Sequence, residues 1–175
     1  MPVAILHPYL GTSQVGRAMG LASADRYAQR ATSSVLLRFE SLARPCKILV
    51  VEDFEQFRRV ICSALEQWAE FHVTEVSDGL EAVQKAKELK PNLILLDIGL
   101  PNLNGIEVAR RVREFAPDAR IIFLSQESSP DVIREALRRD TSGYVHKSCL
   151  RRDLRPAIEA VLEGKRFVSR GLGVH

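Results

Sequence analysis

The sequence predicts a doubly wound α/β domain, in which helices cover both faces of a central parallel sheet. Short apolar runs suited to buried parallel strands alternate with amphipathic helical stretches, and five such strand–helix units follow one another between Lys47 and Gly164. The composition agrees with a soluble globular protein, since 46% of the 175 residues are hydrophobic and 27% are charged. These values exclude a disordered chain, a collagen-like fibre and a disulfide-stapled miniprotein. No apolar run approaches the roughly 20 residues that span a bilayer, so we expect no integral membrane protein.

The first part of the pattern contains three strands and two helices. The short apolar run 48–51 predicts the first strand, and apolar residues then recur at helical spacing over 54–68, which predicts the first helix. The runs 71–76 and 93–96 predict the second and third strands, and the amphipathic stretch 80–89 between them predicts the second helix.

The second part adds three helices and two strands. Helical spacing predicts helices over 105–115, 130–137 and 150–162, and apolar runs at 121–124 and 144–145 predict the fourth and fifth strands. Ser129 and Pro130 are typical N-cap and N1 residues for the fourth helix, and Gly164 is a typical C′ residue after the fifth.

The segments outside this pattern are an N-terminal extension, residues 1–45, and a tail, residues 165–175. The extension holds five Arg against two acidic residues, which equals the whole net charge of +3 and leaves the rest of the chain neutral. We expect it to be flexible, although its acid-poor, Arg/Ser-rich composition also resembles an organellar transit peptide. The rest of the chain, which includes the main domain over residues 46–164, is neutral as a whole and does not favour direct nucleic-acid binding. The three cysteines have no metal-ligand spacing, which predicts reduced thiols in a cytoplasmic protein.

Candidate site residues follow four of the five predicted strands. Glu52 and Asp53 follow the first, Asp97 the third, Ser125 the fourth, and His146 with Lys147 the fifth. Because ligands bind at the carboxyl ends of the strands in such sheets, these residues are expected to share one shallow pocket.

The chemistry of this set is restrictive. Three crowded carboxylates need a cation, and oxygen ligands suit Mg²⁺. A carboxylate beside Mg²⁺ can attack a phosphoryl group, while Lys147 and Ser125 compensate the new phosphoryl oxygens. The set therefore predicts an aspartyl-phosphate site.

Each member also has a purely structural interpretation. The acidic pair can be a solvated loop that caps the next helix, and Asp97 with Gly99 and the following Pro and Gly residues can be a turn. Ser125 can cap a helix, Lys147 can be a surface charge, and the histidine before it can be a packed imidazole. The functional interpretation is preferred because four strand ends agree in order and in chemistry.

These motifs resemble the receiver domain of bacterial two-component response regulators. The resemblance covers residues 46–164 and rests on four segments: Lys47-Ile-Leu-Val-Val-Glu52-Asp53, Asp97-Ile-Gly-Leu-Pro-Asn-Leu-Asn-Gly105, Ile121-Ile-Phe-Leu-Ser125 and Gly143-Tyr-Val-His-Lys147. It implies a flavodoxin-like fold of five strands in the order 2-1-3-4-5 with five helices.

The resemblance also implies a role for each site residue. Asp97 is the phosphoacceptor, and it ligates Mg²⁺ together with Asp53 and the Gly99 carbonyl, while Glu52 acts through water. Three more residues form the phosphoryl-binding and switch group: Ser125, Lys147 and Tyr144. On phosphorylation Ser125 and Lys147 move inward and Tyr144 fills the vacated space, which shifts the face built from the fourth helix, fifth strand and fifth helix.

The sequence departs from the family pattern at three places. We expect these departures to alter the kinetics of phosphorylation, since no chemical group of the site is missing. Gln126 stands where a small residue is usual, which favours a hindered site. Ser148 replaces the common Pro after Lys147, and Asp140-Thr141 replaces the usual Gly-Ala before the fifth strand. The segment 153–169 resembles the fifth helix and linker of regulators that continue into a DNA-binding helix-turn-helix domain, and we expect that output domain to be absent here.

The leading hypothesis is a phosphorelay switch, not an enzyme, that receives phosphate from a histidine kinase or phosphotransfer protein. Its downstream effector is a protein that this sequence does not identify, and a homodimer through the switching face is a further expected partner. The main alternative is a phosphorylation-independent interaction module with a site hindered by Gln126. A phosphohydrolase of the haloacid-dehalogenase type is disfavoured because Gly99 stands where its second acid would be, and direct transcription control needs a DNA-binding domain.

Overall fold

The structure is a computed structural model that describes residues 45–138 and 141–170. The predictions made for residues 1–44, for Asp140 and for residues 171–175 lie outside the described residues. Within the described part, no helix has the length and apolar character needed to cross a membrane.

The centre of the domain is a parallel six-stranded sheet in the order β2-β1-β3-β4-β5-β6. The strands are β1 (Cys46–Val51), β2 (Phe71–Val76), β3 (Leu93–Asp97), β4 (Arg120–Ser125), β5 (Gly143–His146) and β6 (Phe167–Val168). The helices are α1 (Glu55–Leu65), α2 (Gly79–Leu89), α3 (Gly105–Phe115), α4 (Pro130–Ala136) and α5 (Leu150–Leu162), with a 3₁₀ turn (Lys147–Cys149) before α5. The predicted fold class and the order of the first five strands are confirmed.

Helices cover both faces of the sheet, so the central strands are buried on each side. All five residues of β3 are buried, which explains its continuous apolar run. In β1, Leu49 and Val51 pack with α2, α3 and α4, whereas Ile48 and Val50 pack with α1 and α5. The alternation of side chains along a strand thus divides one apolar run between two hydrophobic cores.

The loop from β3 to α3 lies against the end of its own strand because two glycines permit close approach. A Cβ on Gly105 would lie 2.0 Å from the carbonyl oxygen of Asp97, and one on Gly79 would lie 2.0 Å from that of Leu103. The loop therefore packs directly beside Asp97, at the sheet edge where the polar residues were predicted to meet.

The predicted tail contributes a strand that the sequence pattern did not predict. After α5, Gly164 adopts a φ of 81°, and the Gly164 and Lys165 N–H groups donate to the Val161 and Ala160 carbonyls at 3.0 and 2.8 Å. This Schellman motif ends the helix and turns the chain so that β6 pairs with β5. The sheet therefore has six strands, where five were expected.

Candidate functional site

The polar residues that follow the strands lie together at the carboxyl edge of the sheet. Asp97 is the last residue of β3 and Ser125 is the last residue of β4, while Glu52 and Lys147 directly follow β1 and β5. Because β1, β3, β4 and β5 are neighbours in this order, their carboxyl ends surround a common pocket.

Three carboxylates converge in this pocket. One oxygen from each of Glu52, Asp53 and Asp97 lies within 4.8 Å of the other two. Glu52 is fully buried and Asp97 is 6% exposed, whereas Asp53 faces solvent. Carboxylates at this separation repel one another, so the arrangement needs positive charge.

Lys147 supplies one positive charge. Its Nζ lies 2.8 Å from Glu52 Oε2 and 3.0 Å from Asp97 Oδ2, and it donates to Glu52 Oε1 at 3.0 Å. The Phe57 ring covers the ammonium at 4.9 Å from Nζ to the ring centroid. Burial acts to lower the pKa of Lys147, but its hydrogen bonds to Glu52 and Asp97 outweigh burial and raise that pKa, so the side chain is charged.

The pocket retains uncompensated negative charge. Burial raises the pKa of Glu52, and the charge of Asp97 raises it further, against the opposing effect of Lys147. Although Glu52 Oε2 is close to Nζ, it receives no well-aligned hydrogen bond within the described part of the chain. Three carboxyl groups thus face one ammonium, an excess of acidic groups that a divalent cation would balance, and an all-oxygen donor set fits Mg²⁺.

Arg58 binds the backbone of the acidic pair, a role that was not predicted from the sequence. Its Nη1 donates to the carbonyls of Glu52 at 2.8 Å and Asp53 at 3.3 Å, and its Nε pairs with Glu75 at 3.0 Å. The only sequence signal is a basic residue in the first turns of the helix after the acidic pair, and this pattern is too common to be diagnostic.

The switch residues form a connected group beside the pocket. Ser125 Oγ accepts a hydrogen bond from the Glu127 N–H at 3.1 Å, and the Tyr144 hydroxyl donates to the Glu127 carbonyl at 2.8 Å. Burial raises the pKa of the Tyr144 phenol. The family resemblance implies that this ring moves inward on phosphorylation, but the ring is already fully buried in this structure.

The remaining predicted residues lie in the loops around the pocket. The Gly99 N–H donates to Asp97 Oδ1 at 3.3 Å. Gln126 is exposed, and its carbonyl lies 3.0 Å from His146 Nε2. The proposed roles of the Gly99 carbonyl and of the Gln126 side chain stay predictions.

Comparisons with known proteins agree with this architecture. The profile of the response regulator receiver domain matches residues 48–159. The chain is 30% identical over 129 residues to the nitrate/nitrite response regulator NarL of Escherichia coli K12, covering 73% of this chain and 60% of NarL. It is 32% identical over 117 residues to the chemotaxis protein CheY of Halobacterium salinarum, covering 66% of this chain and 96% of CheY.

A solved structure shows the same fold. The crystal structure of a LuxR-family two-component response regulator from Aurantimonas superposes with a TM-score of 0.68 at 31% identity, over 72% of this chain and 91% of that one. Phosphorylation and magnesium binding at an acidic pocket are features of receiver domains. Since the profile covers more than half of the sequence, this chain belongs to the response regulator receiver domain family of two-component signalling.

Proposed function

We propose that Asp97 accepts a phosphoryl group in a magnesium-dependent reaction, with a histidine kinase or phosphotransfer protein as the donor. The observation that supports this proposal most directly is the position of Asp97 between two kinds of partner. Its carboxylate belongs to the acidic cluster with Glu52 and Asp53, and its Oδ2 lies 3.0 Å from Lys147 Nζ.

The covalent step forms a bond between an Asp97 carboxylate oxygen and phosphorus. The phosphorus–nitrogen bond of the donor phosphohistidine breaks, and its electron pair stays on the imidazole nitrogen. Lys147 then offers its charge to the phosphoryl oxygens, and the Ser125 hydroxyl donates a hydrogen bond to them. Asp53, Asp97 and the Gly99 carbonyl would hold Mg²⁺, with Glu52 acting through water, and the bound ion would supply positive charge to neutralise the incoming phosphoryl group.

The output of the switch is a change in the face formed by α4, β5 and α5. Tyr144 lies on β5 and contacts the loop after β4, so a shift of Ser125 toward a phosphoryl group would be transmitted to this face. An effector protein, or a second copy of the chain, is the proposed partner there. Because β6 pairs with β5, any partner that meets the edge of β5 also meets β6.

The proposed unit of function is the predicted domain over residues 46–164 together with β6, which pairs with β5, and it acts in the cytoplasm without an enzymatic activity on other substrates. Residues 1–45 are proposed to be an extension outside this unit. The chain spans about 60% of the length of the curated transcriptional regulators that it matches. The proposed switch does not require direct DNA binding by this domain.

A second candidate function is a phosphorylation-independent interaction module. One observation favours it: Tyr144 is already fully buried, and its hydroxyl donates to the Glu127 carbonyl. Exposed Gln126 beside Ser125 is a further candidate obstruction to a phosphodonor.

The decisive experiment is intact mass after incubation with acetyl phosphate, with and without Mg²⁺. We expect a phosphate adduct on the wild type only with Mg²⁺, and no adduct on Asp97→Ala. Asp118→Ala, which removes an exposed carboxylate beyond α3, is the matched control and is expected to gain phosphate normally. A folded wild type that gains no phosphate contradicts the proposal, and a gain restricted to Gln126→Ala would identify that side chain as the obstruction.

A further inference from the structure

We propose that His146 is a positioning residue for the switch loop, defined as residues 125–127. This role rests on the proposed phosphoacceptor function and extends it to a residue outside the acidic pocket. His146 is the last residue of β5, directly before Lys147, and its side chain is half-buried.

The imidazole bridges two loops that are distant in sequence. Its Nε2 lies 3.0 Å from the Gln126 carbonyl oxygen in the switch loop. Its Nδ1 lies 2.7 Å from Ser148 Oγ and accepts from the Ser148 N–H at 3.3 Å, after Lys147. A carbonyl only accepts and an amide N–H only donates, so these partners assign the neutral tautomer with its proton on Nε2.

The departure from the family pattern at Ser148 makes this bridge complete. A proline at that position would lack the N–H that donates to Nδ1. Ser148 therefore supplies both an amide and a hydroxyl to the ring, and these two contacts fix which nitrogen points at Gln126.

The backbone of His146 is bonded to buried polar groups. The His146 backbone N–H donates to Ser169 Oγ at 3.2 Å, and this hydroxyl donates to Asp153 Oδ2 at 2.6 Å. Ser169 and Asp153 are only 2% and 6% exposed. Ser169, directly after β6, thus holds the end of β5 in place. The imidazole then binds the switch loop from this anchored position.

Two side chains of β5 hold consecutive carbonyls of the switch loop. His146 holds that of Gln126, and Tyr144 holds that of Glu127. Between these carbonyls lies the Glu127 N–H, which donates to Ser125 Oγ. If His146 released Gln126, the peptide linking Gln126 to Glu127 could rotate and its N–H would leave Ser125. The contacts of His146 and Tyr144 therefore preorganise the Ser125 hydroxyl, which the proposed reaction uses.

The test compares two amide substitutions that separate the nitrogens of the ring. In His146→Asn the short amide reaches the position of Nδ1, so it keeps the cap on Ser148 but cannot reach Gln126. In His146→Gln the longer amide places a donor where Nε2 stands. Phosphorylation by acetyl phosphate is followed by intact mass, and affinity for beryllium fluoride with Mg²⁺ is measured as an equilibrium counterpart.

We expect His146→Asn to slow phosphorylation and weaken beryllium fluoride binding by roughly three- to tenfold, the effect of about one hydrogen bond. His146→Gln is expected to stay within about twofold of the wild type. Thermal stability should rank in the opposite order, because Asn is the better cap for the 3₁₀ turn. A merely structural role would give both properties the same order.

Three outcomes overturn the assignment: phosphorylation of His146→Asn at the wild-type rate, phosphorylation of His146→Gln as slow as that of His146→Asn, or a change in Mg²⁺ affinity as large as the change in rate. The third result would place His146 in the acidic pocket rather than in the switch loop. Failure of the wild type itself to gain phosphate would instead overturn the proposed function, and the role of His146 with it.

Discussion

Two buried acids of this domain, Glu52 and Asp153, differ in how their charge is matched. Glu52 shares one ammonium with Asp97, so burial, with the charge of Asp97, prevails and the pKa of Glu52 is raised. Asp153 receives hydrogen bonds from the Arg152 guanidinium at 2.6 and 3.1 Å and from Ser169 at 2.6 Å. The Arg152 hydrogen bonds, helped by Ser169, overcome burial and lower the pKa of Asp153.

The contrast distinguishes a carboxylate that stabilises the structure, Asp153, from one suited to binding a cation, Glu52. Asp153 has its partners within the chain, so it stabilises the junction of α5 with β6. Glu52 is an acid whose surroundings leave negative charge unbalanced, and this imbalance destabilises the fold while it favours a cation.

The largest expected effect is that of Lys147→Met on stability without divalent cations. Removal of the ammonium leaves Glu52 and Asp97 facing each other in a buried pocket, and breaking a buried pair in this way costs about 3 kcal/mol. Urea unfolding in EDTA measures the loss, and added Mg²⁺ should recover part of it. Lys165→Met, which removes an exposed lysine paired with Glu163, is the control and should cause no measurable change. Equal losses of stability in the two variants would show that Lys147 stabilises the fold no more than an exposed lysine does.

A smaller destabilisation is expected from Asp153→Ala. The Ser169 hydroxyl, 2% exposed, then loses its acceptor, which costs about 2 kcal/mol in the free energy of unfolding. Affinity for Mg²⁺, measured by titration calorimetry, should stay unchanged because this acid lies outside the pocket. A fall in Mg²⁺ affinity as large as the loss of stability would show that the two acids are not separate systems.

The opposite sign is expected for Glu52→Gln. Replacing a buried, under-compensated carboxylate with a neutral amide should raise the free energy of unfolding in EDTA at neutral pH by about 1 kcal/mol. The same variant should bind Mg²⁺ more weakly, since a charged oxygen ligand is lost. Destabilisation by this substitution would mean that Lys147 compensates Glu52 fully.

The smallest effect is a difference in pH dependence between the two acids. The pKa of Glu52 is raised in the folded state. Glu52 therefore does not destabilise the fold below its ordinary pKa of about 4.5, and the destabilisation grows as pH rises toward the raised pKa. The advantage of Glu52→Gln should therefore increase with pH over that window. The pKa of Asp153 is lowered, so its contribution is present above about 3.8 and is lost as pH falls toward the lowered value. Urea unfolding of Glu52→Gln and Asp153→Asn at a series of pH values measures both slopes, and slopes of the same sign would contradict the comparison.

Much of the fold could be predicted because the periods of the apolar residues are clear. The bounds of α3 and α5 agree with the predicted helices, and the core of each of the first five strands lies at the predicted apolar run. The first helix ends at Leu65 instead of Trp68, because the chain turns there and Trp68 packs edge-on against Phe71 at 5.7 Å. The strand β6 could not be predicted, since two residues carry no period and its stability comes from pairing with β5.

The location of the candidate site could also be predicted, because parallel strands bring their carboxyl ends to one edge of the sheet. The partners of each side chain could not. Arg58 and His146 bind backbone carbonyl groups of loops. Every residue has such a carbonyl, so the sequence does not show which one a side chain will bind.

The fold class, the edge of the sheet at which the polar residues gather and the chemical types of those residues all follow from the order of residues along the chain. Which buried carboxylate is neutralised by partners within the chain, and which is not, depends on the folded structure. Lys147 meets Glu52 across 95 positions of sequence, whereas Arg152 meets the adjacent Asp153. Electrostatic and hydrogen-bond energies depend on distances of a few ångströms and on exclusion of water, and only the folded chain establishes both.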